Sequence, residues 1–183
     1  LAVSLIQSNA SGFGSWLAEP NTQINLHNRG LGFSLEPGHP AVFGPGRRPP
    51  HTLSPALATR NGDFVSVFGT MGGDAQPQIL LQIAARLFHH KQSPAEAIHA
   101  ARWALAGEKS GFDSWDDMSR QQVLLEGHVP SRWRERLTAR GHRIRQQPEW
   151  DSVFGHAQAI VRDEYGLSGA ADPLARVSAC LCR

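Results

Sequence analysis

Short stretches in which apolar residues alternate with polar ones, or run together, recur along the 183-residue chain and predict β-strands. In order, they cover residues 2–7, 24–27, 53–59, 64–68, 122–126, 143–145, 156–161 and 165–170. Asn61-Gly62 lies between two of these stretches, and Asn-Gly favours the tight turn of a β-hairpin. Residues 143–145 are predicted to form an edge strand because arginine brackets their one apolar residue.

Three other stretches have the period of a helix. Between Gln76 and His90, apolar residues at positions 79, 83 and 87 fall on one stripe, which predicts a buried helix. Ser93-Pro94-Ala95-Glu96 is a capping box with proline at the first helical position, so a second helix is predicted from there to about Leu105. Residues 131–139 predict a third, amphipathic helix. Strand pairs flanked by helices predict a layered α+β domain over residues 1–183.

A glycine pair, Gly72 and Gly73, joins the predicted strand 64–68 to the helix that starts at Gln76. Because glycine has no Cβ, such a turn can bring backbone N–H groups close to a ligand, and two N–H donors stabilise a negative oxygen. The alternative is an ordinary strand-to-helix connection in which glycine supplies a positive φ. A second candidate element is the Gly- and Pro-rich stretch 28–55, which we expect to be an ordered, functional loop.

Composition narrows the classes of function. Hydrophobic residues make up 40% of the chain and charged residues 19%, as in globular domains, and a formal charge of +2 gives no electrostatic case for nucleic acid or a membrane. Cys180 and Cys182 are predicted to be free thiols, which favours a reducing compartment such as the cytoplasm. Adjacent helical residues point about 100° apart. His89-His90 therefore predicts no metal site, and the sequence indicates no cofactor.

The basic segment 132–145 contains six arginines and is the one feature that favours nucleic acid. Trp133 and Leu137 lie four residues apart on one helical face, so burial of that face leaves the arginines solvated. We therefore predict no nucleic-acid partner.

Several dispersed motifs together resemble the small subunit of the γ-glutamyltransferase family. They are Ala2-Val3-Ser4-Leu5-Ile6-Gln7-Ser8, Phe13-Gly14-Ser15, Pro45-Gly46-Arg47-Arg48-Pro49 with Ser54-Pro55, Met71-Gly72-Gly73, residues 97–103 and Gly169-Ala170-Ala171-Asp172-Pro173. The resemblance runs nearly from end to end in the order of the family. It implies an N-terminal nucleophile hydrolase fold, which is a four-layer αββα sandwich, and an enzyme that works through an acyl-threonine intermediate.

The resemblance also implies a precursor that cuts itself into a large and a small subunit. The nucleophilic threonine would then lie upstream of the position that matches Leu1, so we expect the chain to begin inside a longer polypeptide and to be inactive alone. The large subunit from the same precursor is the expected partner. The alternative is a non-catalytic fragment or interaction module that only pairs with a large subunit.

Site residues follow from the resemblance position by position. Gly72 and Gly73 match the glycines whose N–H groups form the oxyanion hole, and Ser8 matches a hydroxyl residue that hydrogen-bonds the nucleophile. Asn9 lies one place from where a substrate-binding asparagine is expected. Arg48 and Ser54 match elements of the loop that closes over the substrate.

Two departures from the family pattern change the expected specificity. In the family, an acidic segment binds the glutamyl α-amino group. In this chain its place is taken by residues 28–32, which contain Arg29 and no carboxylate. A serine pair of the family is likewise replaced by His51 and Thr52. Arginine suits a carboxylate through two parallel hydrogen bonds. We therefore predict a divergent branch, close to γ-glutamyl hydrolases or cephalosporin-acylase-like amidases, that accepts γ-glutamyl or glutaryl-type acyl groups.

Overall fold

The computed structural model describes residues 1–107, 121–173 and 179–180. It divides the chain into two compact units, which we call the core unit (residues 1–6 and 54–183) and the loop unit (residues 7–53). Cys182 and most of the polar stretch 107–120 lie outside the described residues. The prediction of one domain over residues 1–183 stays a prediction.

The core unit contains all the regular strands and α-helices of the described residues. In chain order these are β1 (Ala56–Arg60), β2 (Asp63–Gly69), α1 (Gln76–Ala84), α2 (Pro94–His99), β3 (Trp103–Ala106), β4 (Gln122–Leu125), α3 (Ser131–Ala139), β5 (Ile144–Gln146), β6 (Gln158–Asp163) and β7 (Gly166–Ala171). A π-helical turn, Ala85–His89, continues α1. The predicted α+β class and most of the predicted elements are confirmed.

The strands form two sheets. One has the order β1-β2-β6-β7, is antiparallel throughout, and includes the predicted Asn61-Gly62 hairpin. The other has the order β3-β4-β5, with β5 parallel to β4 and at the edge, as the arginines around Ile144 predicted.

One face of the four-stranded sheet forms the hydrophobic core. Phe68 on β2, Ala159 on β6 and Ala170 on β7 pack in one cluster with α1 and α2, whose Ile79, Ile83 and Ile98 are fully buried. Side chains alternate across a strand, so the neighbouring residues of the same strands point to the other face. The helical stripe predicted at positions 79, 83 and 87 therefore packs against this sheet.

The opposite face of the four-stranded sheet is apolar and exposed. Leu57, Val67, Ile160 and Gly169 are successive cross-strand partners, and Leu57 and Ile160 keep 51% and 39% of their surface exposed. Leu167 on β7 is 60% exposed. Cys180 lies against Gly169 on this face, while Leu57, Ile160 and Leu167 remain exposed among the described residues of the core unit.

Two glutamines of α1 pair with the backbone of β3. Gln82 accepts a hydrogen bond from Trp103 N–H at Oε1 (3.1 Å) and donates from Nε2 to Trp103 O (2.8 Å). One helical turn earlier, Gln78 Oε1 accepts from Leu105 N–H (2.7 Å). Because β3 is an edge strand, its outward backbone groups need other partners, and these two side chains supply them.

Three sequence-based predictions of secondary structure were wrong. α2 ends at His99 instead of near Leu105, because Ala100 turns to extended backbone (φ −66°, ψ 136°) and the chain enters β3. Residues 2–7 and 24–27 form no strand. A strand requires a hydrogen-bonded neighbour, and in these segments the described chain offers only an isolated bridge between Ala18 and Asn25.

The loop unit is built from turns and contains no regular strand or α-helix. A 3-10 turn at Arg29–Gly32, a bridge between Ser34 and Val42, and an edge-to-face contact between the rings of Phe33 and Phe43 (5.3 Å between centroids) organise it. Most of its large apolar side chains are exposed. Across the described residues, no helix combines the length and apolarity needed to cross a bilayer.

Candidate active site

The glycine pair forms a tight turn between β2 and α1. Gly72 has φ +136° and Gly73 has φ +54°, backbone conformations that other residues adopt rarely, and Ala75 N–H closes the turn onto Gly72 O (3.0 Å). Neither Gly72 N–H nor Gly73 N–H donates a hydrogen bond to any residue that the structure describes. The turn therefore presents two adjacent donors that are available to a ligand.

A third glycine, Gly155, packs directly against this turn. Its φ is +76°, and a Cβ added to it would overlap Thr70 Oγ1 and Met71 O. Thr70 is 5% exposed, and its Oγ1 donates to Met71 O (2.8 Å). The position of the glycine pair thus depends on the close approach of the backbone at Gly155.

The Gly155 segment is in turn held by a buried arginine. Arg102, 1% exposed, donates from Nη1 to Phe154 O (2.8 Å) and from Nη2 to Ile98 O (2.7 Å). The same Nη2 forms an ion pair with Asp172 Oδ2 (2.5 Å), which also accepts from Ala157 N–H (3.3 Å). One guanidinium therefore joins the end of α2, the segment before β6 and the residue that follows β7.

Two more charged groups lie near this ion pair. Glu126 is 2% exposed and accepts from Arg102 N–H (2.9 Å); burial, outweighing that hydrogen bond, raises the pKa of its carboxyl above 4.5. Burial, and then the charge of Arg102, lower the pKa of Arg86 to about 10. Arg86 donates to the carbonyl oxygens of Ala97, Ala100 and Ala101. Its side chain therefore binds the carbonyl groups at the end of α2.

In the loop unit, the structure brings three of the predicted site residues together. Arg29 Nη2 donates to Ser8 O (3.3 Å), and Asn9 O accepts from Asn28 N–H (3.1 Å). Ser8 Oγ accepts from Ala10 N–H (3.1 Å). Ser8, Asn9 and Arg29 are all half-buried, so each retains some surface toward solvent. The segments 8–11 and 28–29 thus form one hydrogen-bonded cluster.

The other predicted residues of the loop unit lie at its C-terminal end. His51 is exposed, and its Nδ1 accepts from Leu53 N–H (3.2 Å), while Thr52 is half-buried. Arg48 is exposed. Ser54 belongs to the core unit, where its N–H donates to Gln76 Oε1 (3.3 Å) at the first residue of α1. The substrate roles predicted for His51 and Thr52 remain predictions.

The sequence analysis missed the residues that support the site. Arg102, Glu126 and Asp172 each stand next to an apolar strand or an alanine pair, at positions 100–101, 123–125 and 170–171. A charge that interrupts or ends an apolar run is a signal of a buried, paired group, because burial without a partner is costly. The described residues contain no group of three or more His, Cys, Asp or Glu side chains that could hold a metal ion.

Comparison with known proteins identifies the family. A sequence model of gamma-glutamyltranspeptidase matches residues 1–181. The chain belongs to the gamma-glutamyltranspeptidase family. It is 40% identical over 174 residues to the oxamate amidohydrolase proenzyme of Klebsiella pneumoniae and 35% identical over 173 residues to the glutathione hydrolase-like YwrD proenzyme of Bacillus subtilis. Each match covers 94% of this chain and 32% of the relative, so the chain spans about a third of these proteins.

Solved structures of the family share the fold. Cephalosporin acylase from Bacillus halodurans is 35% identical, with a TM-score of 0.77, over 92% of this chain and 30% of that chain. Gamma-glutamyltranspeptidase from Pseudomonas nitroreducens complexed with L-DON, at 22% identity and a TM-score of 0.77, matches 99% of this chain and 93% of that chain. The predicted N-terminal nucleophile hydrolase-like α+β fold and the resemblance to this family are confirmed.

Replacing Gly155 with alanine tests the support of the glycine turn. We expect Gly155→Ala to destabilise the protein by about 3 kcal/mol, because the new methyl group collides with Thr70 and Met71 and the backbone has a positive φ. Gly62→Ala is the matched control, since Gly62 has φ +89° and nothing within 4 Å of the added methyl group. Urea unfolding measures both, and equal losses would contradict the packing argument.

Replacing Glu126 with glutamine tests the buried carboxyl. Glutamine keeps an oxygen acceptor for Arg102 N–H and removes the titration. A raised folded-state pKa means that Glu126 contributes stability below pH 4.5, and that this contribution is lost as pH rises through the folded-state pKa. We therefore expect the wild type to lose stability relative to Glu126→Gln as pH increases from 4 to 8. Urea unfolding across that pH range measures the difference in the free energy of unfolding between the two proteins. A difference that does not change with pH would contradict this prediction.

Proposed function

We propose that this chain supplies the small-subunit part of an enzyme that cleaves an amide through an acyl-threonine intermediate, with the threonine outside this chain. The observation that carries the proposal is the pair of N–H groups on Gly72 and Gly73, which donate to none of the described residues. Two preorganised donors at one turn match the demand of a tetrahedral intermediate, whose oxygen becomes negative as the amide carbonyl is attacked. The close packing of Gly155 supports the geometry, because a preorganised site needs a rigid backbone.

The acyl group that we propose carries a carboxylate. Arg29 is half-buried, and its guanidinium uses Nη2 toward Ser8 O, which fixes the group near Ser8 and leaves other N–H donors for a ligand. Candidate acyl groups are γ-glutamyl, glutaryl and the short acyl group of oxamate, which joins a carboxylate to an amide. The similarity to the protein named oxamate amidohydrolase supports this class of substrate, because oxamate carries a carboxylate next to its amide.

The remaining residues take supporting parts in this proposal. Ser8 Oγ would hydrogen-bond the nucleophilic hydroxyl, and Asn9, His51 and Thr52 would contact the substrate. After attack, the amine leaves with a proton, and water or a second amine attacks the acyl-threonine ester to release the product. Access to the acyl-threonine ester decides whether water or an amine attacks it. A hydrolase and a transferase therefore share every step before this attack.

The partner that we propose is the large subunit from the same precursor. The relatives at 40% and 35% identity are named proenzymes, and this chain corresponds to 32% of each. The exposed apolar face with Leu57, Ile160 and Leu167 supports a partner that covers it, because a soluble protein rarely leaves such a sheet face bare. The same partner would complete the four-layer arrangement of the fold.

The reaction is tested on the complete protein that carries this chain. We expect it to release chromophore from a γ-glutamyl or glutaryl anilide, or ammonia from oxamate, and to lose this activity when the threonine at the processed N-terminus is replaced by alanine. Activity that survives the replacement would rule out the acyl-threonine mechanism. Absence of activity on all three donors would favour the non-catalytic module.

Arg29→Ala tests the carboxylate specificity. We expect KM for a glutaryl anilide to rise about 10-fold or more, since loss of a charge-assisted hydrogen bond costs about 1.5–3 kcal/mol. KM for an anilide of the same length without the carboxylate should change little. Arg136→Ala, an exposed arginine on α3, is the matched control for the loss of charge. Equal effects of Arg29→Ala on both anilides would contradict the assignment.

A further inference from the structure

The turn that contains Ser8 and Asn9 holds an alanine in an unfavourable backbone conformation. Ala10 has φ +75°, in the left-handed region where a Cβ approaches the following carbonyl oxygen. This conformation costs about 1–2 kcal/mol for a residue other than glycine, and it persists where the surroundings hold it in place. Ala10 is exposed, so hydrophobic packing of its methyl group does not provide that restraint.

Hydrogen bonds from one asparagine hold both sides of Ala10. Asn28 N–H donates to Asn9 O (3.1 Å), and Asn28 Oδ1 accepts from Ser11 N–H (3.0 Å). Asn28 itself is half-buried, whereas Ser11 and the bond between them are exposed. Because Asn9 and Ser11 are the two neighbours of Ala10, the two bonds fix the path of the chain on either side of the strained residue.

The same turn has two further restraints that start from Ser8. Ala10 N–H donates to Ser8 Oγ (3.1 Å), and Arg29 Nη2 donates to Ser8 O (3.3 Å). The direction of the Ser8 hydroxyl is therefore coupled to the φ of Ala10. Gly14 N–H also donates to Ser11 O and holds the chain after Ala10. A change of Ala10 to a negative φ would therefore rotate the Asn9–Ala10 peptide, remove its N–H from Ser8 Oγ and reorient the side chains of Ser8 and Asn9.

We propose that Asn28 is a positioning residue, which keeps Ala10 strained and thereby orients Ser8 and Asn9 for the reaction. The inference rests on the proposed function for the roles of Ser8 and Asn9. Asn28 need not touch the substrate, because it acts through the turn. The proposed role belongs to the side-chain oxygen of Asn28, because the hydrogen bond from its backbone N–H is retained in every substitution other than proline.

The test compares Asn28→Leu with Asn28→Asp in the complete protein. Leucine has a similar size and no acceptor, so we expect kcat/KM for the glutaryl anilide to fall about 10- to 100-fold, the scale of a small misplacement of reacting groups. Aspartate keeps an acceptor for Ser11 N–H and should retain most of the activity. Equal thermal unfolding midpoints of the two variants ensure that the comparison concerns the turn and not the fold.

The decisive variant adds Ala10→Gly to Asn28→Leu. Glycine adopts φ +75° without the steric cost of alanine, so the turn no longer depends on Asn28, and we expect about 10-fold of the lost kcat/KM to return. Ala10→Gly alone is the reference for the double variant. A purely structural role of Asn28 would not be rescued by a more flexible neighbour. No loss in Asn28→Leu, or no recovery in the double variant, overturns the proposal.

Amide hydrogen exchange separates this inference from the proposed function. In Asn28→Leu, exchange of Ser11 N–H should accelerate about 10-fold or more, as expected when its acceptor is removed. If the wild type cleaves none of the acyl donors, the proposed function fails, while exchange at Ser11 still decides whether Asn28 holds the turn. Unchanged exchange in Asn28→Leu would overturn the inference whatever the activity.

Discussion

The buried ion pair between Arg102 and Asp172 is the interaction on which the rest of the core unit depends. Taking two charges out of water costs several kcal/mol for each, and their attraction compensates this only when the remaining donors and acceptors are also satisfied. Here the carboxylate also accepts from Ala157 N–H, and the guanidinium also donates to the carbonyl oxygens of Phe154 and Ile98, so that of its nitrogens Nε alone has no hydrogen-bond partner among the described residues. The pair therefore requires three separate segments to meet at one point, which apolar packing alone would specify less sharply.

This requirement extends to the glycine turn through backbone contacts. Arg102 fixes Phe154 O, the next residue is Gly155, and Gly155 packs against Thr70 and Met71 just before the glycine pair. No side chain at position 155 separates the two backbones, so a shift of one must move the other. A site that stabilises charge by fixed dipoles needs such stiffness, because donors that reorient during the reaction lose most of their advantage. The buried charges thus serve the geometry of the site as well as the fold.

Local patterns in the sequence predicted the elements that depend on local chemistry. The Asn61-Gly62 hairpin, the capping box at Ser93 and the helix 131–139 need only their own residues, and each is present in the structure. α2 ended earlier than predicted because Gln82 and the β3–β4 ladder bind the chain from residue 103 onward, and periodicity cannot detect these tertiary contacts. Arg102 and Asp172 lie 70 residues apart, so their pairing becomes visible only when the sheet has formed.

The candidate site residues fall into two structural classes with different physical support. Gly72 and Gly73 stand on a close-packed core with buried charges, whereas Ser8, Asn9 and Arg29 stand on turns joined by single hydrogen bonds. Each hydrogen bond contributes only about 1 kcal/mol, so a single substitution can remodel such turns without unfolding the core. In the proposed function, the N–H donors of Gly72 and Gly73 would serve the cleavage of any amide, while the residues near Arg29 would select the acyl group. Under that proposal, substitutions in the turns of the loop unit would change the acyl group that is accepted, while the chemistry supported by the packed core unit would stay the same.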